Sequence, residues 1–446
     1  MTTELERLGT HLAELLDWRA AVATEVEGVL RMDRDALRAW RERALVESVT
    51  HALQGSPFYA RRLADTARAL TEHGDVAALS RLPFTTRQDL HDGYPFDFLA
   101  VPRGDVARFG ESSGTSTGTS IAAYFTARDW ITNNCTVAHF LKQVLTADDV
   151  AAVAVPYELA GVGQDLDRSL ELVGCTVVAL GALTQFCPPE RMVDLLRETG
   201  VTTLVCSGTR ALYLAQVARA RGLDPRRDLK VSKVLFAGEG ASPAKRQKLH
   251  QVWGARSHAM YGMTETNTLG MFCRHDALHL IENRSWFEAV HPETGQPVEP
   301  GEVGELVVTS LRAEAMPLVR YRTGDLCRID DTPCPCGSAL RTLRHHGRLA
   351  DRVLVNQTPI SQLQLEDVIM SHLDEAPFYF AFKARDAELL VGLTANNMTD
   401  RVRDAIRADL DGRYRIPASF TLMSEEAFEQ SIRSAVKPTM KSFLID

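Results

Sequence analysis

Ten residues of the chain, Glu111-Ser112-Ser113-Gly114-Thr115-Ser116-Thr117-Gly118-Thr119-Ser120, hold seven hydroxyls and two glycines. Glycine lets a backbone turn sharply and approach a ligand closely. Consecutive N–H groups in such a turn make a concave anion site, and the hydroxyls add donors that can follow a phosphate as it moves. No Gly-Lys-Ser/Thr follows, so this is not a Walker loop. By itself the stretch also fits a flexible surface loop. Two carboxylates further on add weight to the phosphate reading. Glu265 closes Tyr261-Gly262-Met263-Thr264-Glu265, a turn of small and hydroxylic residues where a carboxylate can hold Mg²⁺. Asp325 closes Tyr321-Arg322-Thr323-Gly324-Asp325 after a predicted strand, and a carboxylate there suits the two adjacent hydroxyls of a ribose. A solvated glutamate and a turn aspartate are the plainer alternatives.

A second constellation is soft. Cys273, His279, Cys334 and Cys336 make a Cys₃His set that suits tetrahedral zinc, and Pro333, Pro335 and Gly337 favour a rigid turn around the Cys-x-Cys pair. His275 is an alternative to His279, and Cys327 is a spare thiol.

The three stretches around Ser112, Glu265 and Asp325, in that order, resemble the adenylate-forming superfamily of acyl-CoA ligases. The nearest branch is the phenylacetate–CoA ligase-like family, and the resemblance spans nearly the whole chain. It implies that Ser112, Ser113, Gly114, Thr115, Thr117 and Gly118 hold the phosphates of ATP. It also implies that Tyr261 stacks on the adenine beside Gly262 and Met263, that Thr264 meets the α-phosphate, and that Glu265 binds Mg²⁺. Gly238 and Glu239 would border the adenine, and Arg348 would lie near the ribose or phosphate beside Asp325. Tyr157 and Gly208 would be walls of the acid pocket. Asp351 would be a hinge, and one late lysine, Lys437 or else Lys441, would stabilise the charge developing during adenylation. The chain departs from the family pattern at Thr119, Ser120, Ala350 and Val436, and at Gln357, where relatives carry a glycine. The implied activity is ATP-dependent formation of an acyl- or aryl-adenylate, followed by transfer to a thiol. CoA is the first choice of acceptor; a carrier-protein thiol and an amine stay open. A nucleotide-binding protein that has lost its chemistry is the alternative of another class. The implied ligands are ATP, Mg²⁺, a small carboxylic acid and a structural zinc; a homodimer is open.

These residues need a scaffold of more than one core, and 446 residues supply it. Apolar residues make up 45% and charged residues 24%, an ordinary globular balance. Net charge is −8 with no basic block, which argues against a nucleic-acid partner. The start lacks a basic and apolar leader, and no window has the length of a membrane span. The eight scattered cysteines fit reduced thiols and a cytoplasmic setting.

The leader, residues 1–90, reads as largely helical, with Thr86 and Asp89 forming a capping box. From Val150 onward short apolar runs alternate with helical patterns: Val150–Val155, Thr176–Leu180, Thr202–Cys206 and Lys233–Ala237 as strands, with helices between. Such alternation predicts parallel α/β layers, with ligands beyond the strand C-termini, where Gly238-Glu239-Gly240 falls. The expected fold is therefore α/β: a large N-terminal adenylate-forming domain over 1–347, a hinge at 348–352, and a small mobile α+β domain over 353–446.

Overall fold

The computed structural model describes residues 2–112, 120–182, 184–236, 238–240, 242–385 and 387–435, with side chains from residue 13 onward. Ser113, Gly114, Thr115, Thr117 and Gly118, expected at the phosphates, and Lys437 and Lys441, expected at the developing charge, lie outside the described residues.

The α/β class holds. Five strands lie in one parallel sheet, in the order Thr176–Ala179, Val150–Val153, Thr203–Cys206, Lys233–Phe236 and Arg256–Ala259. Apart from their first residues the central strands are buried and mostly apolar, as in a parallel sheet covered by helices. Helices Val162–Val173, Pro189–Glu198, Gly208–Ala220 and Pro243–Trp253 make the crossovers. Ser207 and Ser242 cap the last two, each accepting from the N–H three residues on.

The leader is helical as expected, over Thr2–Leu30 and Arg34–Gly55, broken at Asp33, which caps the second helix. Thr86 and Asp89 do form a reciprocal capping box at the helix Arg87–Asp92.

The alternation did not reveal a second sheet. Seven antiparallel strands run in the order Ser285–Val290, Val303–Ser310, Tyr321–Asp330, Thr342–Arg348, Leu278–Leu280, Asn267–Phe272 and Tyr261–Met263. Asp325 lies inside one of these strands, not after it. Gly324 has φ +73°, and the pairing register shifts on both flanks of the strand, so the chain bulges there rather than turning away. Beyond Arg348 come the hairpin Val353–Val355/Thr358–Ile360, the sheet Phe380–Ala384, Leu389–Leu393 and Ala418–Leu422, and helices Gln362–His372, Asp400–Tyr414 and Glu425–Ser434. The hydrophobic residues of this region and those of the parallel-sheet helices form one continuous cluster. Among the described residues, no helix is long and apolar enough to cross a membrane.

Candidate functional site

Strand pairing positions the first carboxylate. Asp325 pairs with Arg348 across the antiparallel ladder, and Arg348 Nε donates to Asp325 Oδ1 at 3.1 Å. The Tyr261 hydroxyl donates to Asp325 Oδ2 at 2.8 Å, and His345 Nε2 lies 3.4 Å from Oδ1. The backbone N–H of Gly347 donates to His345 Nδ1, which leaves the ring proton on Nε2, facing Asp325. Burial alone would raise the Asp325 carboxyl; His345, together with Arg348 and Tyr261, outweighs it and holds the group below the ordinary carboxylate value. An oriented, ionised carboxylate ringed by donors can bind vicinal hydroxyls. Its neighbour Tyr261 offers a ring face, with the His345 ring 5.5 Å away.

The second carboxylate sits at a hairpin tip. Strand Tyr261–Met263 pairs back on Asn267–Phe272, and the turn between them carries Thr264 and Glu265. Gly262 is required there, since a Cβ would meet the Asn267 carbonyl oxygen at 2.5 Å. Glu265 is buried, and its Oε1 accepts from the Tyr321 hydroxyl at 2.6 Å. Arg87 Nη1 stands 3.8 Å from the same oxygen. Burial first, and then the facing carboxylate, pushes the Tyr321 phenol well above its usual value, so it acts as a donor. Both contacts fall on Oε1.

Arg87 ties this carboxylate to the hydroxyl-rich stretch. Its Nη2 donates to Ser112 Oγ at 3.1 Å. Thr85, just before it, is laced to the Tyr321 strand by backbone bonds to Arg320 and Arg322. Thr264 comes close to the strand Val106–Glu111 that leads into the stretch: a Cβ at Gly110 would lie 3.8 Å from its methyl.

Five further predicted residues are placed less directly. Gly238 takes φ +81° beyond strand Lys233–Phe236. The Glu239 carboxylate turns inward to Thr209 N, Thr209 Oγ1 and Lys245 Nζ, at 3.1, 2.8 and 2.5 Å. Gly208 begins a helix and gives Lys245 room, since a Cβ there would lie 2.8 Å from Lys245 Cδ. Tyr157 packs beside Gly163 with a buried hydroxyl that has no protein partner among the described residues. Asp351 lies in the single 3₁₀ turn Leu349–Asp351 between the two regions.

The soft cluster assembles. The ligand atoms of Cys273, His279, Cys334 and Cys336 all lie within 4.8 Å of one another. Cys273 Sγ is 3.8 Å from Cys334 Sγ, and Cys336 Sγ is 3.3 Å from His279 Nε2. Tetrahedral zinc with bonds of ~2.3 Å would place two sulfurs roughly 3.8 Å apart. His279 Nδ1 bonds the Leu340 carbonyl at 2.9 Å, which fixes the tautomer that leaves Nε2 for a metal. Backbone N–H groups of His275 and Ser338 point at the Cys273 and Cys336 sulfurs. Neither His275 nor Cys327 joins the cluster.

Sequence reasoning missed Arg87, Tyr321, His345 and Lys245 as parts of this site. Tyr321 had a signal: it shares a strand face with Thr323 and Asp325 at period two. Arg87 and Lys245 had none beyond their place in a first helical turn.

Comparison with known proteins agrees with this geometry. Residues 62–311 match the family model described as AMP-binding enzyme. A phenylacetate-coenzyme A ligase of Thermus thermophilus is 31% identical over 373 residues, 80% of each chain. Among solved structures, a 2-hydroxyisobutyryl-CoA ligase in its postadenylation state has a TM-score of 0.80 at 17% identity, covering 91% of this chain and 94% of its own. The same ligase with acyl-AMP and CoA in its thioesterification state scores 0.68 at 18% identity, covering 89% and 88%.

Proposed function

The chain belongs to the AMP-binding enzyme family, with the phenylacetate–CoA ligases as relatives, and from that membership we propose that it is an AMP-forming acid–CoA ligase acting on an aromatic acid. A carboxylate oxygen of the acid attacks the α-phosphorus of ATP, forming an acyl-adenylate, and pyrophosphate leaves. The sulfur of CoA then attacks the acyl carbonyl, its proton is lost, and AMP leaves. Neither step needs a side-chain nucleophile; positioning and charge neutralisation do the work.

The observation that carries this reading is the pair of ordered carboxylates. Asp325 is set by Tyr261, Arg348 and His345 to accept ribose hydroxyls. Glu265 is set by Tyr321 and Arg87, beside Ser112, to hold the phosphate-bound cation. Mg²⁺ there supplies charge neutralisation on the phosphates. Tyr261 is assigned the stacking face for the adenine, and Gly238 and Glu239 its border. Lys437 is assigned the cation at the α-phosphate, with Lys441 as the alternative. The Cys273–His279–Cys334–Cys336 cluster is assigned a structural zinc. Residues 348–352, with Asp351, are assigned the hinge about which the C-terminal region moves between the two steps. Support for movement is that 2-hydroxyisobutyryl-CoA ligase, which shares the fold, matches this chain differently in its postadenylation and thioesterification states.

The test is pyrophosphate release from ATP and Mg²⁺ with a panel of aryl acids, followed by a chase of the adenylate with CoA, with a phosphopantetheinylated carrier protein and with amines. Acid-dependent release and a CoA-specific chase are expected. ATP binding without release under any acid would mark a protein without chemistry.

A further inference from the structure

Lys245 lies where two regions of the chain meet. Its ammonium is 2.5 Å from Glu239 Oε1 and 2.6 Å from Glu366 Oε2. The three side chains are 0%, 7% and 4% exposed. Glu239 belongs to the Gly238–Gly240 segment beside the nucleotide site. Glu366 belongs to helix Gln362–His372, on the far side of the 348–352 link. The lysine stem is threaded past Gly208, where any side chain would collide with it.

Each carboxylate also closes a helix start. Glu239 accepts from Thr209 N in the first turn of helix Gly208–Ala220. Glu366 Oε1 accepts from Ser242 N at 2.9 Å, and its neighbour Asp367 accepts from Ala244 N at 3.0 Å, so the C-terminal region caps helix Pro243–Trp253. Lys245 is the cation both carboxylates share. Burial alone would favour the neutral amine, but Glu239 and Glu366 outweigh it and hold the lysine above its ordinary value.

The sharing of one cation sets how this contact behaves. Two acidic groups share one ammonium; burial and the facing Glu239 raise the Glu366 carboxyl above its ordinary value, and Lys245 opposes that shift. When Glu366 leaves, it passes to water, where a carboxylate is well hydrated, and Lys245 keeps its contact with Glu239. Removal of the lysine instead leaves two buried carboxylates facing each other, which drives Glu366 out.

We infer that Lys245 is a positioning residue that joins the nucleotide segment to the C-terminal region: engaged with Glu366, it holds that region in the arrangement that forms the adenylate, and it lets go for the thioester step. This rests on the two-step reading above.

The test uses the full chain as Lys245→Met and as Glu366→Gln, which keeps the shape of the side chain and its bond to Ser242. Adenylate formation is followed by pyrophosphate release, and the thioester step separately by supplying the acyl-adenylate with CoA. Lys245→Met is expected to slow the first step about tenfold and leave the second within about twofold, with Glu366→Gln changing in the same direction by less. Equal loss in both steps, or no loss in either, overturns the inference. Amide hydrogen exchange without substrates is the readout independent of activity. Helix Gln362–His372 should exchange about tenfold faster in Lys245→Met, while strand Thr203–Cys206 is unchanged. If the wild type releases no pyrophosphate, the two-step reading fails, and exchange alone decides whether Lys245 holds the region: unchanged exchange rejects it.

Discussion

The hydroxyl of Tyr321 donates to Glu265 Oε1 over 2.6 Å, joining an interior strand of the antiparallel sheet to the tip of its edge hairpin. That bond sets the direction of a carboxylate assigned to a cation, from a residue that touches no substrate in the proposed reaction. Its loss should therefore be felt in metal and ATP use before it is felt in the acid.

Tyr321→Phe keeps the ring and removes only the donor. The buried Glu265 loses a partner, which costs about 1–3 kcal/mol. Apparent affinity for Mg²⁺·ATP should fall by about tenfold, with the KM for the acid nearly unchanged. Steady-state kinetics at varied Mg²⁺ checks this; a change confined to the acid KM would separate Glu265 from the cation.

Asp325→Asn tests the ribose assignment by its own signature. The wild type should prefer ATP to 2′-deoxy-ATP and 3′-deoxy-ATP, and the variant should lose most of that preference because an amide accepts fewer hydroxyl protons. The sign of the pH effect also follows. Asp325 is held below the ordinary carboxylate value, so the stability it supplies is complete above about pH 4 and is lost as pH falls through its folded value. An equal discrimination ratio in wild type and variant would remove Asp325 from the ribose.

Much of this site was legible in the sequence because its residues come in runs. Tyr261–Glu265 and Tyr321–Asp325 are local patterns, and the Cys-x-Cys turn announces itself by its prolines. The parallel sheet followed from alternating apolar runs and helical periods. The antiparallel sheet did not, because strands such as Thr342–Arg348 are rich in charge and half exposed and carry no clean period. Arg87, His345 and Lys245 were invisible for a different reason. Each acts through a partner far along the chain, and a lone Arg, His or Lys has no pattern that names that partner. Gly208, which the resemblance implies as a pocket wall, lies against the stem of Lys245, a contact that no local pattern announces.

Asp165 offers a pH test away from the nucleotide. It is buried against Asn133 and Asn134, both of which donate to its Oδ1, and burial pushes it up to about 6. The folded chain thus keeps a proton that the unfolded chain has released. The stabilisation this group gives is complete below about pH 4 and is lost as pH rises through 6. Asp165→Asn should gain about 1–2 kcal/mol relative to wild type between pH 5 and 7.5, measured by urea unfolding. A difference that does not change with pH would show that Asp165 is not protonated in the fold.

Cys334→Ser should cost the bound metal. Protein purified without added metal should hold one zinc per chain, and the variant should hold little and melt roughly 5 °C or more lower. Elemental analysis with a thermal scan checks both. A wild type that is folded, active and free of zinc would refute the zinc assignment.

The central claim is that the acid is activated as an acyl-adenylate, and transfer of an oxygen atom reads it directly. The aryl acid accepted in the panel is labelled with oxygen-18 in its carboxylate and turned over with ATP, Mg²⁺ and CoA, and the products are analysed by mass spectrometry. If the carboxylate attacks the α-phosphorus, one labelled oxygen per turnover appears in AMP and none in pyrophosphate. Unlabelled AMP, or label in inorganic phosphate, would contradict the account.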